Sequence, residues 1–401
     1  MEKLVIVGGG AGGVILANSL DPKKFDITLI DKSPVNIFQP AYLYVAFKGA
    51  KPNIARKTES LVKRGIKVVE AKATSIDLQS KQVTTDKGQF AYDKLVVATG
   101  TVTDPGQIEG LAEVNNTYGD YHTSIENAQK LWKSLSSFSG GTIALGMASP
   151  VCKCPPSPLE GMLLVEEYIN KKGLKDKTKL IFFTPYPRAY PAEPMNEVIE
   201  PIMKSRNIEI MTFFDVENID TKNRKINSIE GDSISYDLPI IIPPCVGVKI
   251  DFKPNVLDGD GFIKADKETM LIEGFKDAFA IGDATNIPTA KSGVTAHLQA
   301  KVVAKILNGE QAKFDGRTNC PFDVGYGKAT FVIGDYSNPV VKYPPSRLNH
   351  FMKMMMERIY WSSLKGTWDW MFDMYFKHSN PKKLGLKYNK AKGGAQADSK
   401  Q

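Results

Sequence analysis

Lys3-Leu-Val-Ile-Val-Gly8-Gly9-Gly10-Ala11-Gly12-Gly13 is the stretch on which the fold turns. The apolar run at 3–7 has the length and composition of a buried strand. The glycines make a turn, and residues 14–20 read as a helix. Residues 25–30 return as a second strand that ends in Asp31, eighteen residues after Gly13. In this arrangement Gly8 makes the turn, Gly10 lets a pyrophosphate approach the backbone, and Gly13 lets helix and strand pack closely. The unpaired N–H groups and the dipole of the helix N-terminus favour the anion. Asp31 is placed to accept from ribose hydroxyls. A dinucleotide-binding α/β unit is therefore expected at the start of the chain.

The 401 residues suffice for two or three domains, with 42% hydrophobic and 24% charged residues, an ordinary globular balance. The net charge of +8 points to an anionic membrane surface or an anionic substrate; no nucleic-acid motif accompanies it. A strand and glycine loop stand where a signal peptide would lie, so none is expected. No run of eighteen apolar residues is present, so no membrane-spanning helix is expected. The four cysteines, Cys152, Cys154, Cys245 and Cys320, are too few for a disulfide scaffold, which leaves redox, metal or core roles. Cys-x-Cys is not a usual zinc spacing, and His122, His297, His350 and His378 are scattered, so no metal site is expected.

Further along, residues 67–70, 75–78 and 82–85 read as strands of a small inserted sheet. Residues 94–98 form an apolar strand running into Thr99-Gly100. Residues 104–120 read as a linker and 124–135 as a helix. A second strand–helix–strand unit follows at 142–146, 159–170 and 179–183, with later strands at 208–213, 225–229 and 238–242. A strand at 278–281 runs into Gly282-Asp283, and a helix covers 292–307. The expected partition is 1–105 with 251–314, then 106–250, then 315–401. The tail from about Lys390 is expected to be frayed.

The segments Leu95-Val-Val-Ala98-Thr99-Gly100 and Ala278-Phe-Ala-Ile-Gly282-Asp283 resemble the "ATG" and "GD" segments of the glutathione reductase-like flavoproteins, which carry two dinucleotide-binding domains. The resemblance spans residues 1–310. It implies FAD as cofactor, with Asp283 on the ribityl chain and Gly8, Gly10, Gly13, Asp31, Thr99, Gly100, Gly282 and Gly293 around it. Lys291 is placed to stabilise the reduced flavin as an anion, or else is a surface lysine.

Where relatives using nicotinamide cofactors carry a second glycine motif, this chain reads Gly146-Met-Ala-Ser-Pro-Val-Cys152-Lys-Cys154-Pro155-Pro156. Prolines remove N–H donors that a pyrophosphate would use, so the nicotinamide site reads as lost. Phe38-Gln-Pro40 stands where disulfide reductases keep their cysteines. It resembles the "F-x-P" stretch of sulfide:quinone oxidoreductases, type II NADH dehydrogenases and flavocytochrome c sulfide dehydrogenases. Cys154-Pro155-Pro156-Ser157-Pro158-Leu159-Glu160 and Asn319-Cys320-Pro321 resemble the two redox-cysteine segments of the sulfide-oxidising members. That resemblance implies Cys154 and Cys320 as the catalytic pair beside the flavin. Cys152 stays open as the reactive member in place of Cys154, and Cys245 reads as core. The helix N-terminus and nearby lysines are expected to lower the pKa of Cys154.

Three of the four Trp and six of the thirteen Met fall in 347–377, with Leu348, Phe351, Met352, Met355 and Ile359 at helical spacing. Aromatics and cations on an amphipathic helix suit a membrane interface. The alternative is a helix pair packed on the domain or on another subunit. By resemblance this region admits a membrane quinone, with Phe351, Lys353, Tyr360 and Trp361 as candidate contacts. The expectation is an α/β flavoprotein with two Rossmann-like domains and a C-terminal amphipathic membrane-docking region. It would be peripheral to the cytoplasmic membrane, oxidise sulfide, and be monomeric or a homo-oligomer. Type II NADH:quinone oxidoreductase, a flavocytochrome c-type sulfide dehydrogenase subunit and a non-catalytic flavin scaffold are the alternatives.

Overall fold

The glycine turn joins the strand Glu2–Val7 to the helix Ala11–Ser19, and Phe25–Asp31 returns beside the first strand. This computed structural model describes residues 1–51, 53–367 and 369–389; the tail expected to fray and Trp368 lie outside them. The first sheet is parallel throughout, in the order Ala278–Ala280, Lys94–Val97, Glu2–Val7, Phe25–Asp31, Lys67–Glu70. Its inner strands Glu2–Val7 and Lys94–Val97 are mostly apolar because the sheet is buried, with the helices Ala11–Ser19 and Gly293–Asn308 and the residues Ile76 and Val83 of a small sheet sharing its core. Lys67–Glu70, expected in the small inserted sheet, is instead the edge strand here. It pairs in parallel with Phe25–Asp31, which buries part of Val68 and Val69 against the first core. The small sheet is built from Ala73–Asp77, Gln82–Thr85 and Gly88–Ala91, with Asp251–Lys253 added from far along the chain.

The second unit repeats the plan. Its parallel sheet runs Ile208–Met211, Thr178–Phe183, Gly141–Met147, Leu238–Ile242. The segment expected to be a linker contains a helix, Leu111–Tyr118. Leu111 and Val114 are fully buried against Phe183 and Ile241. Tertiary burial makes this helix, and its eight residues were too short to show a clear period. The chain passes between units twice, at Thr101–Thr103 and Cys245–Gly247, and these two crossings pair with each other as an antiparallel ribbon.

The hairpin Thr318–Asp323 and Ala329–Gly334 follows, and the helix Arg347–Leu364 lies against it. The helix end is tied to the first unit: Asn18 Nδ2 donates to the carbonyls of Leu61 (2.8 Å) and Leu364 (2.7 Å). Asp369–His378 and Pro381–Tyr388 complete the chain's described helices. Among the described residues no helix is long and apolar enough to cross a membrane.

Candidate active site

The first turn is shaped for close approach. Gly8 has φ +113°, and a Cβ there would lie 2.3 Å from the carbonyl oxygen of Ala98. A Cβ on Gly13 would lie 1.9 Å from the carbonyl oxygen of Gly8, so neither position tolerates a side chain. At Gly10 a Cβ would meet nothing within 4 Å, which leaves the backbone open to a pyrophosphate. Asp31 holds the turn, accepting from the backbone N–H of Gly9 (2.5 Å) and of Ser33 (2.8 Å). Asn36 Nδ2 donates to the Gly9 carbonyl at 2.8 Å. Three buried oxygens around this cleft have no protein partner: Asn36 Oδ1, Thr58 Oγ1 and Asp283 Oδ1. Buried polar atoms are rarely left so, and an adenosine with a ribityl chain would supply the missing partners. The residues present therefore fit FAD. Asn36 and Thr58 went unnoticed in the sequence because no spacing marks them; the fold alone brings them to Gly9.

Thr99-Gly100 follows the Lys94–Val97 strand, with Gly100 at φ +69°. Gly282, also at φ +69°, donates its N–H to Gln299 Oε1 at 2.7 Å and starts the short turn that carries Asp283. Burial pushes the Asp283 carboxyl up, while Lys153 and Lys291 pull it down. Lys291 is not a surface lysine. Its Nζ donates to the carbonyls of Asp283 (3.2 Å) and Thr285 (3.0 Å) and sits 3.5 Å from the centre of the Phe262 ring. Gly293 opens the long helix Gly293–Asn308, which is capped by Ser292.

Both resembling cysteines come to the Lys291–Ser292 dipeptide. The backbone N–H of Cys154 donates to the Lys291 carbonyl at 2.8 Å. Cys320 interacts with the Ser292 hydroxyl and lies 3.5 Å from Thr318 Oγ1. After burial, Cys320 is the strongest electrostatic influence on the Cys154 thiol. Cys154 has φ +52°, a left-handed conformation that a side chain other than glycine adopts at some cost. Its carbonyl accepts from Ser157 N–H (2.8 Å), which fixes it at the start of the helix Ser157–Lys171. All four cysteines are free thiols. Cys152 is buried in the core of the second unit and Cys245 faces it, its N–H on the Val151 carbonyl at 3.0 Å.

The expected lowering of the Cys154 pKa is not what this environment produces. Burial pushes the thiol well above its ordinary value; Cys320, Glu160 and Cys152 add to the rise, and Lys353 alone opposes them. Burial likewise raises Cys320. A helix N-terminus offsets desolvation only in part.

Of the four quinone candidates, Tyr360 and Trp361 are in ring contact, while Phe351 and Lys353 have different surroundings. Phe351 is exposed and lines a groove of about 530 Å³ with His350, Met354 and Met355. Tyr360 packs tilted against Phe38 (4.4 Å between centroids) and edge-on against Trp361, over which Arg56 lies. Lys353 is buried, its Nζ 2.5 Å from Glu160 Oε1, 3.3 Å from Asp323 Oδ2 and 2.8 Å from Tyr44 Oη. Among the described residues no cluster of ligands suits a metal ion.

A strand-turn-helix cradle for a dinucleotide, joined to a second unit that brings thiols to its edge, defines a two-unit oxidoreductase. Residues 2–301 match the Pyridine nucleotide-disulphide oxidoreductase family, and the chain belongs to it. Within that class it is similar to the mitochondrial sulfide:quinone oxidoreductase of Mus musculus, 24% identical over 91% of this chain and 87% of the relative. The corresponding Dictyostelium discoideum protein is 27% identical over 92% and 87%. The solved sulfide:quinone oxidoreductase of Aquifex aeolicus shares the fold, with TM-score 0.81 at 22% identity and 92% coverage of both chains.

Proposed function

We propose that this chain is an FAD-dependent sulfide:quinone oxidoreductase with Cys154 and Cys320 as its redox pair. The observation that carries the reading is the meeting of both cysteines at Lys291–Ser292, eight residues beyond Asp283. In the oxidised enzyme the pair would be a disulfide. Hydrosulfide attacks one sulfur; a new S–S bond forms, the old one breaks, and one cysteine leaves as a thiolate. The nucleophile is the solute, so the first step needs no cysteine thiolate to start it. The raised thiol pKa slows departure of the leaving cysteine but makes its thiolate the stronger nucleophile once formed. FAD, when bound, supplies the two-electron acceptor. The Gly8–Gly13 turn and Asp283 would hold it, and Lys291 would place positive charge at its edge. The curated relatives named above support sulfide and quinone as substrates.

We take residues 1–105 with 251–314 as the FAD-binding domain, 106–250 as the second domain and 315–401 as the C-terminal region, a reading that the two parallel sheets and the C-terminal hairpin support. The outward face of Arg347–Leu364, where Leu348 and Phe351 are exposed, is the surface we assign to a membrane and its quinone. Phe351 and Tyr360 would then bracket different ends of the quinone's path rather than one ring site.

Anaerobic mixing tests the reading. Sulfide is expected to bleach the flavin rapidly, NADH to leave it oxidised. Cys154→Ser and Cys320→Ser are each expected to slow bleaching by at least about 100-fold. Rapid bleaching by NADH, or unaltered sulfide kinetics in both variants, would overturn it.

A further inference from the structure

Glu160, Asp323 and Lys353 were not read as a group in the sequence. Glu160 lies six residues after Cys154, on the helix whose start fixes that cysteine; Asp323 ends the strand that carries Cys320. Lys353 comes from the helix Arg347–Leu364. All three side chains are buried, at 5%, 1% and 6% exposure. Glu160 Oε1 takes the ammonium of Lys353 at 2.5 Å and the backbone N–H of Asp323 at 2.8 Å. The ammonium also reaches Asp323 Oδ2.

We propose that Lys353 is a positioning residue for the thiol pair, bridging Glu160 and Asp323 so that the two cysteine-bearing elements stay at bonding distance. This rests on the reading of Cys154 and Cys320 as a redox pair. The reasoning is electrostatic. Two buried carboxylates on neighbouring elements repel unless a cation lies between them. Without Lys353 the remaining groups around them are Tyr44 and Lys48 from the helix Tyr42–Lys48, and His350 and Glu357 from the helix of Lys353. His350 Nδ1 meets only the far oxygen of Asp323, at 2.6 Å. Lys48 lies over the Tyr44 ring rather than between the acids. Neither replaces the bridge; the Asp323 N–H to Glu160 and the Tyr44 hydroxyl on Asp323 remain, but they bring no positive charge between the acids. The same ammonium ties both cysteine-bearing elements to the helix that carries the exposed Leu348 and Phe351.

The thiol–disulfide potential of the pair reads the effect. Holoprotein is equilibrated in glutathione buffers of graded ratio, quenched by alkylation, and the Cys154–Cys320 disulfide is quantified by peptide mass spectrometry. Lys353→Met is expected to lower the effective concentration of one thiol at the other by about tenfold, raising the potential by about 30 mV. Lys353→Arg is expected to recover most of that shift. Glu357→Gln, on the same helix and touching Tyr44 but neither cysteine-bearing element, is expected to leave the potential unchanged. If Lys353→Met does not fold, Lys353→Gln keeps a polar side chain without the charge, and a rise in the same direction is expected. A potential equal to wild type in Lys353→Met, or in Lys353→Gln where that is the variant that folds, overturns the proposal. A wild-type protein that forms no such disulfide at any ratio would sink the redox pair itself, and the two failures are thereby distinct.

Discussion

His122 shows how a single buried side chain can make folding sensitive to acid. Its ring lies 2.9 Å from the Ser157 hydroxyl, where Tyr121 also bonds the Ser157 carbonyl. Burial, helped by Lys153, pushes the imidazole down to about 3. The unfolded chain binds a proton at the ordinary value of about 6.5, while the folded chain stays neutral. Between those values the unfolded state holds more protons, so stability falls as the pH drops below about 6.5. At pH 5 the loss is about 2 kcal/mol. His122→Gln is expected to flatten urea-denaturation stability between pH 7 and pH 5 by that amount; an unchanged slope would remove His122 from the account. The strained residue, Cys154, makes the opposite kind of prediction. Cys154→Gly is expected to be more stable than Cys154→Ala by about 1 kcal/mol, because glycine adopts φ +52° freely. Chemical denaturation of the two variants decides it.

At the level of elements, the helix Arg347–Leu364 carries two different faces. Lys353 and Asn349 point into the protein, while Leu348 and Phe351 stand outside at 66% and 59% exposure. Trp370 and Met374 on the next helix are exposed as well. Apolar side chains beside Arg347 and Arg358 suit an anionic lipid surface. Leu348→Asp/Phe351→Asp is expected to weaken sedimentation with phosphatidylglycerol vesicles at least about tenfold. Flavin bleaching by sulfide should stay as in wild type, since both residues lie on the face away from the thiols. Equal sedimentation of variant and wild type would remove this face from membrane contact.

Across the molecule, what the sequence revealed and what it hid divide along physical lines. The glycine turn was legible because close backbone approach leaves no alternative to glycine at Gly8 and Gly13. The second unit was legible because its strands are long apolar runs. The edge strand Lys67–Glu70 was not, since a short strand gives the same pattern in either sheet. The helix Leu111–Tyr118 was hidden because its stability comes from Phe183 and Ile241, far away in the chain. Lys353 looked like a cation on an amphipathic face; only the fold sets it between Glu160 and Asp323. The thiol pKa was misjudged in direction because sequence shows charge and helix ends but not burial. The cradle of orphaned oxygens also bears on the whole molecule. Protein stripped of FAD is expected to melt lower, since a ligand at a thousandfold its dissociation constant adds about 4 kcal/mol. Calorimetry with and without added FAD checks this, and equal melting temperatures would contradict the proposed cofactor.

The paired crossings at Thr101–Thr103 and Cys245–Gly247 have a mechanical consequence. A lone connecting strand would swivel, but two strands stitched side by side bend about a single axis and resist torsion. The helix Tyr42–Lys48 is packed into the core of the second unit as well, so the halves are held together at more than this ribbon. Cys154 hangs by its amide from the Lys291 carbonyl of the opposite half, so a shift of one half against the other would be felt at the sulfur-bearing turn.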